Sequence, residues 1–64
     1  MENHTIVERV RSEFMEMPGL RLTPEQAARL WGLDMPACEQ VITTLVSCAF
    51  LRWTPGGMLV RAEH

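Results

Sequence analysis

The segment from Trp31 to Pro36 limits this chain more than any other, because two helix patterns meet there across only three residues. Gly32 supplies a residue that accepts positive φ at a helix end, and Asp34 before Met35-Pro36 caps the next helix almost at once. Helices joined this closely at a steep angle touch near one point, where a bulky side chain would hold them apart. Ala28 is the small residue at that point. The earlier helix has its own start signal in Thr23-Pro24-Glu25-Gln26: a Thr N-cap, Pro at the first helical position and Gln three residues on to close a capping box. These signals predict helices over 24–31 and about 35–48.

The rest of the chain is cut by the same kind of punctuation. Thr5-Ile-Val-Glu8 reads as a capping box and Pro18-Gly19 as a helix stop, which together predict a first helix over about 5–17. At about 100° per residue Ile6, Val7, Val10, Phe14 and Met17 form one apolar stripe. Leu20-Arg21-Leu22 alternates briefly, enough for a short strand. Phe50–Trp53 and Met58–Ala62 flank Thr54-Pro55-Gly56-Gly57 and predict a β-hairpin. The third helix carries Cys38, Val41, Ile42, Leu45, Val46, Cys48 and Ala49 on one broad face. The expected fold is therefore α+β, three helices with a three-stranded antiparallel sheet from 20–22, 50–53 and 58–62, in one domain over 1–64. Its expected core is Val10, Phe14, Leu20, Leu22, Ala28, Leu30, Trp31, Leu33, Val41, Ile42, Leu45, Phe50 and Leu59, with Met17, Met35 and Met58 filling gaps.

Composition narrows the function classes. The 64 residues are 47% hydrophobic and 22% charged, the balance of a globular domain that buries only about 60% of its unfolded surface. No run approaches the roughly 18 apolar residues of a membrane span, and the opening Met-Glu-Asn-His is unlike a signal peptide, so the expected location is cytoplasmic. His4, Cys38, Cys48 and His64 lack zinc-ligand spacing, and no metal or cofactor is expected. Cys38 and Cys48 on one helix would stand roughly 15 Å apart, too far to bridge. With no Ser/His/Asp arrangement and no Gly-rich phosphate loop, catalysis is not expected.

The order helix, short strand, helix, Gly turn, helix, hairpin resembles the winged helix-turn-helix family. Leu22-Thr-Pro-Glu-Gln-Ala-Ala-Arg-Leu30 and Thr44-Leu-Val-Ser-Cys-Ala-Phe-Leu-Arg-Trp53 are similar to the corresponding stretches of IclR-type and MarR-type repressors. The likeness covers roughly 6–62. It departs at Ala49, where those repressors usually carry Gly; the same backbone would cost Ala about 1 kcal/mol, so a different helix end is expected. The resemblance implies double-stranded DNA as partner and a role as a transcriptional regulator or accessory factor.

On that reading Gln40, Thr43 and Thr44 face base edges, Arg52 and Arg61 lie on the wing, and Arg29, with help from Arg21, meets phosphate. Charge argues the other way. Six cations, all Arg, against eight acids give −2, and Glu39 is the single charge on the third helix. A protein-interaction or dimerisation module on the same scaffold is the alternative, with Trp53 and Met15 as candidate interface residues. Trp53 packed across the hairpin onto Leu59 or Val60 is its plainer role, Trp31 belongs to the core, and a homodimer is expected because so small a core is marginal.

Overall fold

The computed structural model describes residues 3–62, and His64 and the ends of the 1–64 domain lie outside them. Three helices, α1 (Asn3–Glu16), α2 (Pro24–Trp31) and α3 (Met35–Ser47), precede an antiparallel hairpin of β1 (Leu51–Trp53) and β2 (Leu59–Arg61). Among the described residues, twelve side chains form one core: Val10 and Phe14 from α1, Leu22 before α2, Ala27, Ala28 and Trp31 from α2, Cys38, Val41, Ile42 and Leu45 from α3, and Leu51 and Leu59 from the hairpin.

Local chemistry produces the α2–turn–α3 unit as expected. Gln26 N–H donates to Thr23 Oγ1 at 3.1 Å and Thr23 N–H to Gln26 Oε1 at 3.0 Å, the full capping box. Gly32 takes φ 71°, Leu33 N–H reaches back to the Ala28 carbonyl at 3.0 Å, and Ala37 N–H donates to Asp34 Oδ1 at 2.9 Å. Three residues thus satisfy the end of one helix and the start of the next. Trp31 closes the unit onto α1: its indole N–H donates to Glu13 Oε1 at 3.2 Å, and Arg9 Nη2 donates to the Trp31 carbonyl at 3.3 Å.

The third strand shrinks to one residue. Leu22 exchanges both backbone hydrogen bonds with Leu59, and no second pair forms beside it among the described residues. Leu20 N–H is taken by the Met17 carbonyl at 2.9 Å in the turn after α1, and Thr23 is committed to capping α2. The regular sheet is therefore two-stranded. Similarly, α1 begins at Asn3, which puts Thr5 inside the helix rather than at its N-cap. Neither Asn nor His is a helix breaker, and each added residue adds a hydrogen bond.

Four expected core residues sit differently. Leu30 is 50% exposed because it lies about 110° from the centre of the stripe made by Ala27, Ala28 and Trp31. Leu20, Leu33 and Phe50 are half-buried at the core's edge. Met17 and Met35 are exposed, beyond the end of α1 and at the first turn of α3. Leu51, absent from the expected core, is fully buried, since Phe50 completes the helix end and the inward alternation starts one residue later. Cys48 is exposed as the cap of α3 rather than on its apolar face.

The end of α3 is where sequence and backbone disagree. Ala49 adopts φ 65°, with Ala49 N–H on the Val46 carbonyl and Phe50 N–H on the Leu45 carbonyl, both at 3.0 Å. That is the two-bond pattern of a Schellman cap, with alanine where glycine is usual. Burial of Leu51 and the pairing of β1 with β2 hold the geometry against the alanine's preference. Ala49→Gly should raise stability by about 0.5–1 kcal/mol, measured by urea denaturation. A loss on that substitution would mean that the strain is not there.

Candidate nucleic-acid interface

The exposed face of α3 is built by subtraction. Cys38, Val41, Ile42 and Leu45 turn inward, which leaves Glu39, Gln40, Thr43, Thr44 and Ser47 toward solvent. Glu39, Gln40, Thr43 and Thr44 line one shallow groove together with Pro36. The Thr44 hydroxyl donates to the Gln40 carbonyl at 2.9 Å, so its hydrogen is spent on the helix and it presents its methyl group and acceptor lone pairs outward. The face is neutral apart from Glu39.

Arginines divide into two sets. Arg11 and Arg61 both lie over the Phe50 ring, at 5.0 and 5.6 Å from its centroid, and Arg9 is held by Glu13 at 3.8 Å. Stacking ties Arg61 to the base of the hairpin, half-buried. Arg21, Arg29 and Arg52 are exposed. The pairing of Leu22 with Leu59 and of Val60 with Arg52 sets Arg21, Val60 and Arg52 on the outer side of the hairpin. Arg21, Arg52 and Arg61 line a groove there with Pro18, Gly19, Leu20, Thr54 and Val60, about 370 Å³ in volume. This groove shares no residue with the one on α3. Arg29, in the last turn of α2, lines neither.

Trp53 lies between these features. It faces the same side of β1 as buried Leu51, but at the strand's end the core runs out, and the residue is 45% exposed. It pairs in register with Leu59 and lines a third groove, about 350 Å³, with Pro24, Glu39, Ile42, Thr43, Val46 and Ser47. Sequence reading missed this groove, because it exists only where α3, the start of α2 and the hairpin end converge. Its one advance signal was Trp53 itself. Met15, the other candidate interface residue, is 56% exposed on α1 and belongs to none of the three grooves.

Among the described residues no three of His, Cys, Asp and Glu come together to form a metal cluster, and no helix is long and apolar enough to cross a membrane. Cys38 is fully buried, its thiol pKa pushed up by desolvation and secondarily by the Glu39 charge, and its Sγ contacts the Pro24 carbonyl at 3.7 Å. A thiol so placed stays protonated and inert. Comparison with family models, with curated proteins and with solved structures gave no match to this chain.

Proposed function

We propose that this chain is a winged-helix DNA-binding protein acting as a transcriptional regulator or accessory factor. The observation that carries the reading is the α2–turn–α3 unit, which packs α3 on the core through Cys38, Val41, Ile42 and Leu45 while leaving Gln40, Thr43 and Thr44 exposed in one groove. In this reading α3 enters the major groove: Gln40 meets an adenine edge, the Thr43 and Thr44 methyls meet thymine, and the hairpin is the wing. The Leu22–Leu59 bridge, which ties the segment before α2 to the hairpin, supports the reading. Arg52, Arg21 and Arg29 supply the phosphate contacts, with Arg61 a weaker contributor because it is stacked on Phe50.

Self-association belongs to the same reading. A dimer presents two α3 helices to half-sites one helical turn apart, with exposed Met15 on α1 or exposed Trp53 at the hairpin end as the expected surface. Trp53 and the acidic balance favour a second reading, a winged-helix module that binds protein and has no nucleic-acid affinity.

Titration with random-sequence duplex DNA separates the two readings. Arg21, Arg29, Arg52 and Arg61, the four arginines assigned to the duplex, limit the slope of log affinity against log salt to about −3.6 for each chain, a loss of at most about 150-fold between ~50 and ~200 mM. Binding without salt dependence, or none at ~50 mM salt, favours the protein-binding module.

A further inference from the structure

The groove between α3 and Trp53 has a chemistry of its own. Ile42 and Val46 give it an apolar floor, Trp53 offers an aromatic wall, and Glu39 is the only charged residue among the seven that line it. Its volume of about 350 Å³ suits one small molecule rather than a length of polypeptide. An aromatic ring attracts a cation through its π-face and a carboxylate attracts it through charge, so Trp53 and Glu39 select the same sign, while the Thr43 and Ser47 hydroxyls favour neither. Apolar body and positive head together describe an amphiphilic organic cation.

We propose that this groove binds a small arylalkyl- or alkylammonium ion, and that its binding strengthens the DNA complex. Glu39 is the link between the two events. Glu39 and Thr43 line both this groove and the neighbouring groove of Gln40 and Thr44, and of the two Glu39 carries the charge: it is the one anionic side chain on the face assigned to DNA. A bound ammonium ion neutralises Glu39 and removes its repulsion of phosphate. By linkage DNA tightens ammonium binding by the same factor. The coupling rests on the DNA-binding reading, whereas the site itself does not.

The probe is 2-phenylethylammonium chloride, compared with its neutral analogue 2-phenylethanol and with sodium chloride at equal ionic strength. In isotope-labelled protein without DNA, the ammonium ion should shift the Trp53 indole signal and the Ile42 and Val46 methyl signals, with affinity at least about 5-fold above the alcohol's. Glu39→Gln should reduce that preference to the share the Trp53 ring supplies alone. Equal binding of ion and alcohol, or a preference left undiminished by Glu39→Gln, overturns the site. Saturating ammonium should then raise duplex affinity by about 5-fold, the low end of typical coupling between sites, and Glu39→Gln should bind DNA more tightly and ignore the ion. Ion binding with unchanged or weaker DNA affinity overturns the coupling. Selective ion binding by a chain with no DNA affinity supports the site and defeats the DNA reading.

Discussion

Phe14→Ala is expected to cost about 3–5 kcal/mol, a third or more of the stability of a domain this small. Phe14 is the largest side chain with no exposed surface, and it joins α1 to a core that takes residues from every other element. A 64-residue domain has only about 3–10 kcal/mol to lose. Phe14→Leu, which keeps most of the volume, should cost less than about 1.5 kcal/mol and remain folded. Circular dichroism and urea denaturation of the two variants make the comparison. A loss below about 1 kcal/mol for Phe14→Ala would mean that α1 is not part of the cooperative unit.

The second large effect concerns recognition. Gln40→Ala should reduce discrimination at one adenine position by about 1–3 kcal/mol, while Arg52→Ala should weaken binding to every sequence alike and flatten the salt slope by about 0.9. The difference comes from position: Gln40 lies on the exposed face of α3, and Arg52 lies across the hairpin in a groove that shares nothing with it. Selected-sequence binding measured for both variants at several salt concentrations reads the two quantities. The reverse pattern, sequence preference lost with Arg52 and kept without Gln40, would place the base-reading surface on the hairpin.

What could be read from the residues in advance was local. Thr23, Gln26, Gly32 and Asp34 act within three or four positions of themselves, so their hydrogen bonds and the positive φ are set by residue order alone. Leu20 failed as a strand residue because its N–H is used by Met17, a competition invisible to alternation patterns. Leu30 failed because Trp31 and Ala27 set the direction of so short a helix, and one off-axis leucine does not change it. Ala49 holds a glycine conformation because the hairpin behind it requires that exit from α3; tertiary packing overrides the residue's own preference.

The candidate site was legible in the same uneven way. The neutral face of α3 is set by its period, and exposure of Gln40, Thr43 and Thr44 needs only the location of the core. Grouping of arginines needs strand register: Arg21 joins Arg52 through the Leu22–Leu59 bridge, and Arg61 is drawn to Phe50 across the hairpin, relations that depend on strand pairing and that no local pattern encodes. The Trp53 groove needs three elements at once. Residue types announce which surfaces are polar, aromatic or basic, and only pairing decides which of them meet.

The most direct test is a residue-by-residue map of amide shifts in labelled protein titrated with random duplex DNA at ~50 mM salt. Signals of α3 from Glu39 to Ser47 and of the hairpin should move first and return as salt rises, while those of buried Val10 and Phe14 stay in place. No movement in α3 or the hairpin at millimolar DNA, or movement confined to α1, would contradict the assignment of α3 as the DNA-reading helix.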